Sequence, residues 1–159
     1  MLTVRYDLER VRAAVTPEAL RARPPGMYRF RELTPLEAGE EPVTLGEGGT
    51  PLVPLPRLAA HLGLRQLLAK DEGQNPTGTF KARGLGMAIT RARTLGARGF
   101  LIPSAGNAGG AAAVYAARAG LPCAVIVPRA TPPAAIAEAL IAGAHVFTIE
   151  GTIATAGKV

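Results

Sequence analysis

One stretch of the 159-residue chain has the residue types for covalent chemistry: QNPTGTFKARG, residues 74–84, which sets Lys81 just inside the start of a helix. Lysine is scarce here, occurring only as Lys70, Lys81 and Lys158. Asn75-Pro76 and Gly78 spell a tight turn, and the hydroxyl of Thr77 or Thr79 can cap the helix that follows. A cation in a first helical turn sits against the helix dipole, which disfavours it by about 0.3–1 kcal/mol. An ordinary lysine is almost wholly protonated at neutral pH and a poor nucleophile, so the dipole alone does not activate it. Burial beside an apolar wall such as Phe80, or a second cation, would have to do more. Condensation with an aldehyde is another route, because the nitrogen's positive charge is then delocalised. The plainer reading is a surface lysine whose stem lies along the helix, and both readings stand on these residues alone.

A second constellation, IPSAGNAGG at 102–110, follows an apolar run and opens another helix. The backbone amides of Ala105, Gly106 and Asn107 there form a ready anion site, with Ser104 supplying a hydroxyl, and a carboxylate or phosphate fits. The spacing of Gly106, Gly109 and Gly110 is not that of a dinucleotide loop, and no acidic residue follows at the required distance. A plain strand-to-helix turn capped by Asn107 explains the same residues.

These loops need a scaffold, and the chain supplies one. Residues 1–56 are proline-rich and irregular after a short helix around Asp7 to Val15, with turn signals in PPG (24–26) and GEGGTPL (46–52). A short helix ending near Leu62 and a strand over Gln66–Ala69 precede the lysine loop. The next helix runs from about Thr79 to Leu95, with Phe80, Gly84, Met87, Ala88, Ala92 and Leu95 on one face. Three similar units come next: strand Phe100–Pro103, helix Ala108–Ala119, strand Ala124–Val127, helix Pro133–Ala142 and strand Val146–Ile149. Gly120 and Gly143 end helices, and Thr131 before Pro132-Pro133 starts one. Short apolar strands alternating with helices imply an α/β fold, a parallel sheet with helices on both faces. We expect residues 1–97 to form an arm and lysine-bearing segment and 98–159 a small βαβαβ domain. After the last strand, GTIATAGKV begins another helix where a further unit would grow, so the chain reads as truncated.

Composition narrows the class. Hydrophobic residues at 48% with 19% charged exclude a disordered chain, and the run Ala111–Ala117 is too short to span a membrane. Charges at Arg5, Asp7, Glu9, Arg10 and Arg12 break any signal-peptide core, which with the lone Cys123 in an apolar run points to the cytoplasm. The net charge of +6 comes from scattered arginines with only 4% aromatics, so nucleic acid is not expected as a partner. His61 and His145 with one cysteine make no zinc set, and no metal is expected. Glu40-Glu41 and Asp71-Glu72 read as solvated loop charge.

Taken together, NPTGTFKARG and SAGNAGG, one helix and one strand apart, resemble the signature of pyridoxal-phosphate enzymes of the tryptophan-synthase-β fold type (fold type II). GEGGTPL and AKDEGQNPTGTFKARG look most like threonine synthase, and the resemblance covers about residues 43–149. It implies the N-terminal part of such an enzyme, with pyridoxal 5'-phosphate as cofactor, a small anionic amino-acid substrate and a homodimer for the full-length protein. By resemblance Lys81 forms the internal aldimine, Asn107 hydrogen-bonds the ring's phenolic oxygen, and Ser104, Ala105 and Gly106 grip the substrate carboxylate. Thr77 and Thr79 flank the site and contact substrate.

The implied reaction converts O-phospho-L-homoserine and water into L-threonine and phosphate. Many threonine synthases carry FKDRG where this chain has Ala82 in FKARG, and SAGN is closer to amino-acid dehydratases, so a serine/threonine dehydratase-type lyase stays open. A non-enzymatic α/β module binding an anionic metabolite at 104–107 is the alternative of another class. The family's cofactor-phosphate cup and pyridine-nitrogen partner lie beyond residue 159, so the fragment is expected to be inactive alone.

Overall fold

The computed structural model describes residues 5–158, and Val159, the end of GTIATAGKV, lies outside them. Its centre is a parallel three-stranded sheet of β3 (Phe100–Pro103), β4 (Cys123–Pro128) and β5 (His145–Ile149), in the order β3-β4-β5. Here β1 (Leu52–Pro54) and β2 (Leu68–Lys70) form a separate antiparallel ribbon. The crossovers are α5 (Asn107–Ala119) and α6 (Pro133–Ile141). Two right-handed crossovers stepping the same way across a sheet place their helices on one face. Accordingly Cys123, Val125 and Val127 of β4 share one core with Ala112, Tyr115 and Ala116 of α5 and Ala139 of α6.

Alternation along β4 turns Ala124 and Ile126 to the opposite face. Register pairs them there with Leu101 of β3 and with His145 and Phe147 of β5. The short α7 (Ile153–Ala156) packs on β4, and Ile126 and Ala156 are both buried. Helices thus flank the sheet on both faces, but unequally: Leu101 stays 59% and Phe147 56% exposed.

The lysine-bearing helix, α4 (Lys81–Thr94), packs along α5. Its contact face is not the expected one. Ala82, Gly86, Ile89 and Thr90 are buried, whereas Phe80 is 57% and Leu95 77% exposed. The reason is Tyr115, fully buried on α5: a Cβ on Gly86 would come within 2.9 Å of its ring. Only a residue without a side chain at position 86 lets the helices close over that ring. Thr90 is satisfied inside the interface, its hydroxyl donating to the Gly86 carbonyl at 2.7 Å and accepting the Val43 N–H at 2.9 Å. Ala82 and Ile89 belong to the same core as α5 and β4, so that core spans the expected division at 97/98.

The arm is more ordered than its prolines suggested. Besides α1 (Leu8–Ala14), capped by Asp7, it holds α2 (Pro17–Ala22), capped by Thr16, and a 3-10 segment at Met27–Leu33. The turn-like GEGGTPL runs into β1, and α3 (Pro56–His61) joins the two ribbon strands. Arg91 of α4 pairs with Glu40 at 2.8 Å and Glu37 at 3.0 Å, and Arg93 donates to the Glu41 carbonyl at 2.7 Å. The Glu40 side chain is only 6% exposed. Reading Glu40 as solvated charge was therefore wrong, because besides the nearby Glu37 N–H its side-chain partners, Arg91 and Thr94, lie about fifty residues away.

Candidate functional site

Lys81 is the first residue of α4 and is half-buried. The loop before it turns at Gly78, whose φ of +65° suits glycine. Thr79 accepts the Lys81 backbone N–H at 3.2 Å, as a capping hydroxyl should. Thr77 does something else: its hydroxyl is buried and has no hydrogen-bond partner. The Lys81 ammonium lies 4.7 Å from the centroid of the Phe80 ring. Such a contact is worth about 0.5–1 kcal/mol at exposed sites, so Phe80 holds the ammonium rather than walling it from water.

Beneath this turn lies a polar knot that the sequence reading missed. The Glu72 carboxylate receives Arg83 Nε at 2.6 Å and Nη2 at 2.8 Å, the Thr50 hydroxyl at 2.6 Å and Asn75 Nδ2 at 3.0 Å. Asn75, itself buried, accepts the Gly48 N–H at 3.0 Å. GEGGTPL, the turn at 72–75 and the first turn of α4 are thereby tied together. Hydrogen bonds from Arg83, then from Thr50, hold the Glu72 carboxyl down to about 2, well below the usual carboxylate range. Glu72 is thus not solvated loop charge. A bidentate guanidinium eleven residues downstream gives no periodic signal; only the presence of Arg83 two residues after Lys81 could have hinted at it.

A second buried carboxylate, Glu47, accepts the Tyr115 hydroxyl at 2.6 Å, the Thr44 hydroxyl at 3.0 Å and the Leu45 N–H at 3.0 Å. Burial, then the bond to Glu47, raises the Tyr115 phenol far above its ordinary range. GEGGTPL thus anchors both carboxylate knots.

At the second constellation the helix cap is Gly106, and Asn107 is the exposed first residue of α5 with no capping bond. Capping by Asn107 is therefore not how this helix begins. Ser104 does that work: its hydroxyl accepts the Gly109 N–H at 2.9 Å and the Gly106 N–H at 3.4 Å. Among the described residues the amides of Ala105, Asn107 and Ala108 have no protein acceptor. Of the expected anion-binding amides, Ala105 and Asn107 are open and Gly106 is partly engaged.

The topology relates the two constellations. Short connections lead α4 into β3 and β3 into α5, so the packed helices run in the same sense. Both begin at the carboxyl end of the parallel strands, the usual place for ligands in open α/β sheets. Their starts offer a primary amine, an unpartnered buried hydroxyl and uncommitted amides. That donor set fits a molecule with an aldehyde and an anionic group. Elsewhere Cys123 is buried, which pushes its thiol up and leaves it a core residue. Among the described residues no group of three or more His, Cys, Asp or Glu could hold a metal, and no helix is long and apolar enough to cross a membrane.

Comparison with known proteins agrees with this chemistry. A family profile described as pyridoxal-phosphate dependent enzyme matches residues 43–159. The threonine synthase of Methanosarcina acetivorans is 40% identical over 152 residues, 95% of this chain and 36% of that protein. That of Mycobacterium leprae is 46% identical over 123 residues, 77% of this chain and 34% of that protein. Among solved structures, a pyridoxal 5'-phosphate-dependent aspartate racemase aligns with TM-score 0.61 and 35% identity, over 64% of this chain and 33% of that one. Maize serine racemase aligns with TM-score 0.62 and 25% identity, over 69% of this chain and 34% of that one. The chain spans about a third of the length of the curated relatives it matches.

Proposed function

The chain belongs to the pyridoxal-phosphate dependent enzyme family, and from that premise we propose that it carries the amine-bearing part of a threonine synthase-type active centre. The observation behind this reading is the shared end of the sheet at which Lys81 opens α4 and Asn107 opens α5. The identity to threonine synthases, 40% and 38% over 95% of the chain in two archaeal cases, favours that branch of the family.

In this reading Lys81 Nζ would hold the cofactor through its aldehyde, with loss of water. Bound there, pyridoxal phosphate supplies an electron sink for charge developing on the substrate's carbon. Asn107, exposed at the first position of α5, would donate a hydrogen bond to the cofactor. The open amide of Ala105 takes the substrate carboxylate, with Gly106 beside it. Ser104 shapes that loop, since its hydroxyl is drawn inward by Gly109. Thr77, whose buried hydroxyl lacks a partner, is the better placed of the two threonines to meet substrate, while Thr79 is occupied by the Lys81 N–H. Lys81 Nζ, when unbonded, would be the base that takes and returns the substrate's proton.

The substrate is O-phospho-L-homoserine, and threonine and phosphate are the products. Supplying the intact protein with cofactor and then phosphohomoserine, serine or threonine tests this. Phosphate release from phosphohomoserine is expected. Keto-acid release from serine or threonine instead marks a dehydratase-type lyase, and neither product, with no covalent cofactor, marks an anion-binding module.

A further inference from the structure

We infer that Glu72 is a positioning residue, whose clamp on Arg83 fixes where α4 begins and hence where the Lys81 amine stands. This rests on Lys81 being the cofactor-bonding lysine. The geometry is that of a joint between three segments rather than a surface ion pair. Arg83 approaches the carboxylate through both Nε and Nη2, the planar fork that fixes orientation as well as distance. Thr50 adds a third donor from GEGGTPL at 2.6 Å, and Asn75 a fourth from the lysine loop at 3.0 Å. The Arg83 and Glu72 side chains are only 30% and 27% exposed, so water competes weakly for these bonds.

Ala82 packs its buried methyl into the core, but no other polar side chain of the first turn does the work of Arg83. Among the described residues Phe80, at the cap position, provides no side-chain cap, and the Thr79 hydroxyl holds only the Lys81 N–H. The Lys81 side chain rests on the ring of Phe80, a contact that holds the ammonium but, being exposed, does not set where the helix begins. Arg83, two residues on, is where directional bonds tie the helix start to the segments before it. Asn75 extends the joint: by accepting the Gly48 N–H it links the lysine loop to the glycine turn of GEGGTPL. There Gly48 has a φ of +92°, and a Cβ would meet the Met27 backbone nitrogen.

The test uses the intact protein and the variants Glu72→Gln and Thr50→Val, the second removing the hydroxyl's bonds to Glu72 and Arg83 and leaving the ion pair. Without cofactor, Glu72→Gln is expected to speed amide hydrogen exchange at residues 46–50 and 75–84 about tenfold relative to α5 and β4, and Thr50→Val by less. With pyridoxal phosphate, Glu72→Gln should raise the half-saturating concentration read from the bound cofactor's visible absorbance by about tenfold. It should also weaken that band's circular dichroism per bound cofactor, a signature that loss of stability alone leaves unchanged. Exchange rising uniformly across the protein, or wild-type dichroism and affinity in Glu72→Gln, would overturn the inference. Failure of the wild type to bind cofactor covalently would sink the functional reading instead, while the exchange pattern still decides the clamp.

Discussion

Glu72 carries a proton-linked signature that can be measured directly. Its carboxyl is held at about 2 in the folded protein against 4.5 for the free group, so the folded state favours the ionised form. The stabilisation this brings is complete above about 4.5 and is lost as pH falls toward 2. Chemical denaturation of the wild type should show that acid limb, and Glu72→Gln should flatten it. At neutral pH the same variant should be less stable by about 1–3 kcal/mol, because Arg83 keeps its charge and loses its acceptor. This residue was not legible in the sequence. Lys81 and the 104–107 loop were, since each sits in a compact turn whose residue types announce a bend, a cap or open amides. Glu72 meets Arg83 across eleven residues and Glu40 meets Arg91 across fifty-one, so both carboxylates looked like ordinary surface charge.

Among the elements, β3, β4 and β5 were readable because each is an apolar run bounded by glycine or proline, and β3 falls on the expected residues. The face of α4 was misread for a definite reason. Counting large apolar residues picks out Phe80, Met87 and Leu95, yet a helix facing the alanine-rich α5 and its buried Tyr115 must present small residues. Gly86 is where this can be tested. Helix propensity alone makes Gly86→Ala stabilising by up to about 1 kcal/mol. The new Cβ would meet Tyr115 at 2.9 Å and Glu47 Oε1 at 3.0 Å, both held in place by their mutual network. Overpacking of this kind costs about 1–3 kcal/mol, so the melting temperature should fall. Gly110→Ala is the matched control on α5: there the three atoms nearest the Cβ all belong to the carboxylate end of Glu138, which can swing aside, and no fall in melting temperature is expected.

At the scale of the whole molecule, the sheet is packed on one face and thinly covered on the other. The cluster under α4, α5 and α6 unites the lysine helix with the strands, so the amine and the amide loop ride on one core. On the opposite face α7 shelters Ile126 while Leu101 and Phe147 remain more than half exposed. Exposed apolar area of this kind binds hydrophobic dyes, and the described chain should enhance dye fluorescence. Phe147→Lys should reduce that signal without lowering the melting temperature by more than a few degrees, since surface changes are usually within about 0.5 kcal/mol. The arm escaped sequence reading at this scale too: its order comes from contacts to α4 and α5, such as Arg118 donating to the Thr44 carbonyl at 3.2 Å.

The amine opening α4 is proposed as the one that bonds pyridoxal phosphate. Incubating the intact protein with the cofactor, reducing with borohydride and mapping the modified peptide tests it directly. The pyridoxyl group is expected on Lys81 in the wild type and is expected to be lost in Lys81→Arg. Label on Lys70 or Lys158 with Lys81 unmodified, or no stable label at all, would contradict it.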